Sequence, residues 1–379
     1  MKFYPYPISL LQTSQFAWFL AFALTLMVAL VIVKTQALHG HWSSDPVDGV
    51  QKFHTQPTPR VGGVAIVFGV AVAFCFAPST QRSLLWPLLI AGIPACLFGL
   101  MEDVTKRIGV RTRLVATMFS GVLAWVITGI ALTRGNMPGL DWMLGHSVVS
   151  VAFTAFAVGG IANAINIIDG FNGLAAGTVI IILSGFAVLC LSVGDSNLAY
   201  ICILFACAMV GFLLINWPMG KLFLGDGGAY FMGFAVAWIA VLMLARHPEI
   251  SAWAPLLVCS YPILEVLFSM LRRQKRGIDL GTADRLHLHS LVKKRLVRRL
   301  IPKASKLARN SVTGCIMWSA SVLPAMVACW LSADSLQLFF AFVLFGLLYS
   351  SVYARLTQFR WCFKPATVKV KPYNDLPVM

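Results

Sequence analysis

Charged residues are scarce in this 379-residue chain. They make up 12% of it, whereas a soluble domain carries about 25%. Hydrophobic residues account for 59%, and the mean hydropathy is +0.80. This composition excludes a disordered, coiled-coil or ordinary globular protein. It indicates a chain that lies mostly inside a lipid bilayer.

Three further features are missing. None of the nine cysteines has Cys-x-x-Cys spacing, which excludes the usual zinc and redox motifs. No polar stretch is long enough for a separate soluble domain, so we predict one integral membrane domain over residues 1–379. The first apolar run lacks a small-residue cleavage site, which favours a retained first span over a removed signal peptide.

Eleven apolar runs have about the length that a membrane-spanning helix needs. They cover residues 15–33, 61–77, 84–100, 114–132, 146–166, 174–193, 198–215, 229–245, 252–271, 314–332 and 335–353. The predicted fold is therefore an all-α polytopic membrane protein with about eleven transmembrane helices.

Basic residues give the predicted orientation. If the N-terminus lies outside and the runs alternate, the inside segments hold 26 of the 30 Lys and Arg residues. This bias is typical of cytoplasmic loops, and it explains the net charge of +16 without nucleic acid as a partner. The C-terminal tail, 354–379, is then cytoplasmic. So is the basic loop 272–313, in which apolar residues recur at roughly helical spacing, as in a helix in the membrane interface.

Polar clusters occur in every inside segment except the tail. They are 52–60, the pair Glu102 and Asp103, 163–173, 216–228, and 284–289. The outside loops are short and poor in such clusters. We therefore predict one functional site at or just below the inner membrane surface.

Carboxylates and amides in these clusters suit a phosphate-handling site, although each has a simpler explanation. Glu102 and Asp103 disfavour double ionisation unless a cation is near, but an isolated acidic pair is more simply a solvated turn. Asn163, Asn166 and Asp169 recur every third residue at the end of an apolar run. Polar groups at such a position cost free energy because they leave water. They are therefore expected either to be functional or to form hydrogen bonds between helices.

The other clusters also leave alternatives open. Gly225 to Gly228, with Asp226 among them, suits Mg²⁺ and phosphate at a helix start, or is a simple turn. His287 and His289 lack cysteine partners for zinc. They fit phosphate binding with Arg285, or belong incidentally to an interfacial helix. Glu265 lies within an apolar run and is either functional or paired with a basic side chain.

Taken in order, five motifs resemble the polyprenyl-phosphate N-acetylhexosamine-1-phosphate transferase family, which has WecA-like and MraY-like branches. They are His-Thr-x-Pro-Thr-Pro-Arg-x-Gly-Gly from His54, the acidic pair, Asn-Ala-x-Asn-x-x-Asp-Gly-x-x-Gly-Leu from Asn163, Lys-x-Phe-x-Gly-Asp-x-Gly from Lys221, and His-x-His from His287. The resemblance covers about residues 52–295. The span count suits the WecA-like branch.

The resemblance implies a bacterial inner-membrane enzyme with a periplasmic N-terminus and a cytoplasmic active site. A polyprenyl phosphate, usually undecaprenyl phosphate, attacks the β-phosphorus of a UDP-N-acetyl sugar. UMP leaves, and the lipid-linked diphosphate sugar starts O-antigen or another surface glycan. Mg²⁺ is the implied cofactor, with Mn²⁺ as the alternative. The implied partners are the two substrates and the bilayer, and a second copy of the chain is a further candidate.

The resemblance also implies roles for single residues. The metal ligands are Asp226 and Asn166, and the catalytic residues are Asp103, Glu102 and Asp169. Nucleotide, sugar or phosphate contacts fall to Asn172, Lys52, Arg60, Lys221, Arg285, His287 and His289. Within these sets, Asp103 and Glu102 bind or deprotonate the lipid phosphate, whereas Asp169 and Asn172 line the nucleotide pocket.

Three positions depart from the family pattern: Glu102 and Asn172 stand where Asp is frequent, and Ser290 where a third His is common. The Phe-Glu-Leu-Lys segment that continues the His run in the MraY-like branch is absent, which disfavours a muramoyl-pentapeptide substrate. A rival of another class is a secondary transporter, which would place polar groups near the bilayer midplane and contain inverted repeats. Glu265 apart, the polar clusters lie at one face.

Overall fold

The computed structural model describes residues 8–45, 57–277 and 286–358. Nearly all of them are helical. The elements are α1 Ile8–Lys34, α2 Gln36–Ser43, β1 Ser44–Asp45, β2 Thr58–Pro59, α3 Gly62–Phe76, α4 Ser79–Ala91, α5 Ile93–Thr105, α6 Val110–Thr128, α7 Pro138–Leu144, α8 Ser147–Ile168, α9 Leu174–Ser192, α10 Ser196–Asn216, α11 Gly225–Arg246, α12 Trp253–Val258, α13 Ser260–Lys275, α14 Leu288–Leu291, a π-helix Val292–Val297, α15 Arg298–Leu300, α16 Lys306–Trp330 and α17 Ser335–Thr357.

Helices coincide with all eleven apolar runs, which confirms the all-α polytopic fold class. In the described part of the chain, eight helices are long and apolar enough to cross a membrane, or nine if the bent pair α4 and α5 forms one span. Helix α3 is apolar but has only 15 residues. The total of eleven spans stays a prediction.

Two runs that we expected to be single helices are broken. Run 84–100 divides at Gly92 into α4 and α5, which meet at a bend of 43°. Pro94 is at the start of α5, and proline cannot donate the backbone hydrogen bond that would continue the preceding helix. Run 252–271 divides in the same way at Cys259, shortly before Pro262 in α13.

Helix α11 forms the centre of the bundle. Almost every residue from Gly225 to Leu244 is buried, and α11 packs against α3, α5, α8 and α9. A helix that is apolar on all sides fits either a protein core or the lipid of a membrane, and here other helices surround it. By contrast, α17 exposes Leu336, Phe340 and Leu347, as a helix in contact with lipid does.

A short antiparallel strand pair leads into the start of α3. Ser44 pairs with Pro59, and Asp45 with Thr58. The chain then binds the segment before α11, since the Phe223 N–H donates to the Pro59 carbonyl at 2.8 Å and the Gly62 N–H donates to the Phe223 carbonyl at 3.0 Å. These bonds place Arg60 next to the N-terminus of α11.

The basic loop contains the expected amphipathic helical segment, over residues 288–300. Leu288, Leu291 and Val292 are buried against the bundle, whereas Leu300 is 58% exposed. The apolar spacing therefore marks the face that packs on the bundle, except at its last position, whereas the placement of this segment in the membrane interface stays a prediction.

Candidate active site at the N-terminus of α11

Asp226 lies in the first turn of α11 and is 5% exposed. Its Oδ1 accepts hydrogen bonds from Asn166 Nδ2 at 3.0 Å and from Arg60 Nη2 at 3.1 Å. Its Oδ2 forms an ion pair with Arg113 Nη1. Three of the four residues were expected at the site from the sequence, and the fold brings them together from four separate segments.

Asp103, in α5, holds the same helix start through its carboxylate. Its Oδ1 accepts the backbone N–H of Asp226 at 2.9 Å, and its Oδ2 accepts that of Gly227 at 2.8 Å. Arg60 Nε lies 3.8 Å from Asp103 Oδ1. Such a carboxylate satisfies two of the amides that a helix leaves unpaired at its N-terminus. We therefore expect Asp103 to position Asp226, while its direct role on the acceptor phosphate stays a prediction.

Gly225 makes this arrangement possible. Its φ of +74° is a conformation that glycine adopts without steric cost. A Cβ on it would run into the Arg60 carbonyl oxygen and would lie 2.6 Å from Asp103 Oδ2. The glycine before Asp226 is thus required by the close approach of two neighbouring segments.

Glu102 points elsewhere, although it precedes Asp103 directly. It is half-buried, and its Oε2 accepts the backbone N–H of Ile108 at 2.7 Å. This bond ties the end of α5 to the loop before α6. The acidic pair therefore has two different sets of partners, as adjacent residues on a helix do.

Asp169 ends α8 and faces the same cluster. The residue is partly exposed, but protein atoms enclose its carboxylate. This burial raises its pKa to about 6, and Arg60 and the Gly225 backbone N–H oppose the rise. Asp169 is the expected carboxylate at the mouth of a span, since α8 stops at Ile168.

Asn172 connects the loop after α8 to the loop before α11. It is 4% exposed, and its Nδ2 donates to the Pro218 carbonyl at 3.1 Å. Asn216 joins the same loops, since its Oδ1 accepts the Gly173 N–H at 2.6 Å. Lys221, in the second loop, is exposed. A contact of Asn172 or Lys221 with a nucleotide stays a prediction.

The two histidines are buried beside the loop after α8. His287 is 7% exposed and His289 is 3% exposed, and their rings stack at 5.2 Å with an angle of 11°. The His289 ring meets Phe171 edge to face at 5.4 Å. A Cβ on Gly170 would lie 3.2 Å from His289 Nε2. The His-x-His segment is thus adjacent to the segment that carries Asp169.

Two expected site residues, Lys52 and Arg285, lie outside the described residues. Conversely, sequence reasoning missed Arg113, which we counted only as a positive charge on the inner side. Its guanidinium also lies 5.7 Å from the ring centroid of Tyr230. Lys293 was missed as well. Its ammonium lies 4.9 Å from the centroid of the Phe171 ring, and burial, with the nearby cations, lowers its pKa to about 8.

The cluster around Asp226 offers oxygen ligands that suit Mg²⁺. Within the described ranges, no three His, Cys, Asp or Glu side chains group closely enough to hold a metal alone. Mg²⁺ often uses one or two carboxylates together with water and substrate phosphates. The Asp226 carboxylate and the Asn166 amide oxygen, which half a turn of the amide would bring to face it, fit that requirement.

Comparisons with known proteins identify a family model and several transferases to which this chain is similar. Residues 85–244 match the model of glycosyl transferase family 4. A probable undecaprenyl-phosphate N-acetylglucosaminyl 1-phosphate transferase of Bacillus subtilis (strain 168) is 26% identical over 72% of this chain and 75% of its own length. A decaprenyl-phosphate N-acetylglucosaminephosphotransferase of Mycobacterium leprae is 30% identical over 62% and 66%. A phospho-N-acetylmuramoyl-pentapeptide-transferase of Clostridium perfringens is 24% identical over 49% and 61%.

Proposed function

We propose that this chain transfers an N-acetylhexosamine 1-phosphate from a UDP-sugar to a polyprenyl phosphate, and the match of residues 85–244 to glycosyl transferase family 4 supports this proposal. An oxygen of the polyprenyl phosphate forms a bond to the β-phosphorus of the donor. The bond from that phosphorus to the oxygen shared with the α-phosphorus breaks. UMP leaves with the electron pair, and a lipid-linked diphosphate sugar remains.

The observation that carries this proposal is the grouping of Asp226, Asn166, Arg60 and Arg113 at one helix start. Phosphoryl transfer needs positioning and neutralised charge more than covalent chemistry. Arg60 and Arg113 can pass from Asp226 to phosphate oxygens, since guanidinium groups bind both partners in the same geometry. Asp226 and Asn166 then remain to hold Mg²⁺, which when bound neutralises charge on the diphosphate.

The orientation belongs to the same proposal. We place the N-terminus in the periplasm, the C-terminus and the site at the cytoplasmic face, and eleven spans in a bacterial inner membrane. The charge bias of the predicted loops supports this assignment. Cysteine accessibility in closed vesicles would test it, and light scattering of the detergent-purified protein would test the proposed homodimer.

The decisive experiment uses purified protein with undecaprenyl phosphate, Mg²⁺ and a panel of UDP-N-acetyl sugars. We expect release of UMP that requires both the lipid phosphate and the metal. Release of UDP would instead mean simple glycosyl transfer and would contradict the mechanism. Turnover of UDP-N-acetylmuramoyl-pentapeptide alone would assign the chain to the pentapeptide branch. The variant Asp226→Ala should insert into membranes normally and lose the activity, and its retained activity would remove Asp226 from the metal role.

A further inference from the structure

Glu265 is a buried acid of α13 that the proposed reaction does not use. It is 1% exposed. Its Oε1 accepts the backbone N–H of Leu288 at 2.9 Å and faces His287 Nδ1 at 3.0 Å. One carboxylate oxygen thus holds both the start of α14 and the first imidazole of the His-x-His segment.

The second carboxylate oxygen faces the second imidazole. Glu265 Oε2 lies 3.9 Å from His289 Nδ1, and the buried Tyr349 hydroxyl is also close to this carboxylate. The Tyr261 hydroxyl lies 3.5 Å from the same nitrogen. The two rings are also stacked nearly parallel. Both imidazoles therefore have Nδ1 facing the same carboxylate.

This arrangement fixes the direction of the other ring nitrogens. In an imidazole, Nδ1 and Nε2 point to opposite sides of the ring, so an acid at Nδ1 turns Nε2 away from itself. For His289, Nε2 faces Gly170, which directly follows Asp169. Glu265 therefore lies on the Nδ1 side of both rings, and Nε2 of His289 faces the segment that carries Asp169.

We propose that Glu265 is a positioning residue that presents Nε2 of His287 and His289 to the diphosphate of the donor. The inference rests on the function proposed above and adds a residue to it. In this orientation a protonated imidazole donates its Nε2–H to a phosphate oxygen, and the carboxylate balances the imidazolium charge. Acids that orient functional histidines act in the same way at metal sites, where their loss costs about 10- to 100-fold.

The variant Glu265→Gln tests the charge separately from the fold. Its amide oxygen can still accept from Leu288 N and His287 Nδ1, but the negative charge is gone. The matched control is Asp195→Asn. Asp195 directly precedes α10 and lies beside the C-terminal end of α11, far along that helix from Asp226. Asp195 is also a buried acid that accepts a backbone N–H, from Leu198 at 3.0 Å, and faces a histidine, His247 Nε2, at 2.8 Å. Both variants therefore lose a buried negative charge between a backbone N–H and a histidine, and Asp195→Asn also loses the ion pair with Arg246 Nε at 2.7 Å.

The measurement is kcat and KM for UDP-N-acetylglucosamine and for undecaprenyl phosphate, with thermal unfolding of each purified protein in detergent. We expect Glu265→Gln to lower kcat/KM for the UDP-sugar about 10- to 100-fold, with the KM for the lipid phosphate little changed. Asp195→Asn should keep both constants within about threefold. In a His287→Ala, His289→Ala background, adding Glu265→Gln should have little further effect, because coupled residues are non-additive.

The possible results separate the two proposals. An active wild type with Glu265→Gln equal to Asp195→Asn would overturn the positioning role alone. So would a Glu265→Gln loss that stays undiminished in the histidine-free background. A wild type that releases no UMP with any UDP-sugar would contradict the proposed function, and the role of Glu265 would fall with it.

Discussion

The carboxylate of Asp103 binds the backbone N–H of Asp226 at 2.9 Å. The acid on α5 therefore holds the acid at the start of α11 by its main chain, while the Asp226 side chain stays turned to Asn166 and two arginines. Two motifs separated by more than 100 residues thus depend on each other directly. Their effects on activity should not be independent.

Removal of the Asp103 carboxylate should damage both stability and activity. Asp103→Ala leaves the N–H groups of Asp226 and Gly227 without partners, which costs about 1–3 kcal/mol for each buried group. We expect a lower melting temperature in detergent and a loss of turnover of about 100-fold or more, of the size seen when a preorganised charge site is disrupted. The control is Asp141→Ala, outside the candidate site, since the Asp141 carboxylate also accepts a backbone N–H, that of Gly135 at 2.5 Å. Equal losses in both variants would contradict a special role for Asp103.

Arg113 should be needed for activity, although the motifs did not mark it. Among the described residues, Arg113→Ala leaves Asp226 with Arg60 and Asn166 as side-chain partners, and it removes one cation from the place where the donor phosphates are expected. We expect a rise in KM for the UDP-sugar and a fall in kcat/KM of about 100-fold, as for other charge-assisted phosphate contacts. Arg111, two residues earlier, is exposed. Arg111→Ala should leave the kinetics unchanged, and a similar loss there would point to a general charge effect.

Asp169 should make stability depend on pH. Its pKa is raised from 3.8 to about 6, so the folded state binds a proton more readily than the unfolded chain does. Stability from this group is therefore greatest below about pH 4, and falls as the pH rises to about 6. Compared with Asp169→Asn, the wild type should lose melting temperature over that range and then change in parallel. A difference that stays constant from pH 4 to pH 7 would show that Asp169 does not titrate in this way.

The contact between α3 and α11 should not accept a side chain. A Cβ on Gly63 would overlap the backbone of Gly228. Overpacking of this kind typically costs about 1–3 kcal/mol, so Gly63→Ala should lower the melting temperature and the yield of folded protein. Gly160→Ala, on α8, meets nothing within 4 Å and should be neutral or slightly stabilising, because alanine favours helix by about 1 kcal/mol over glycine. A stable Gly63→Ala protein would mean that the two helices are farther apart.

Much of this arrangement follows from residue types in the sequence. The apolar runs predict where the helices lie. The polar residues at the ends of these runs, on the predicted inner side, identify the segments that meet at Asp226. The breaks at Gly92 and Cys259 were missed, although Pro94 and Pro262 mark them, because hydropathy alone gives no backbone geometry. The partners of Glu102 and Asn172 are backbone groups of other segments, and the pairing of Glu265 with His287 joins α13 to a later loop. Such contacts depend on the packing of the whole bundle, which no local pattern records.

The main-chain contact between Gly63 and Gly228 also divides the site into two parts that differ in how they can move. On the α11 side, the backbones of α3, α5 and α11 are in close contact. A Cβ on Gly63 would lie 2.3 Å from the Gly228 nitrogen, and a Cβ on Gly99 would lie 2.5 Å from the Asp226 carbonyl oxygen. Relative sliding there would break main-chain contacts, whereas the histidine side is held by side chains that can change rotamer. We therefore expect the acidic side to move less than the histidine side when substrate enters and product leaves.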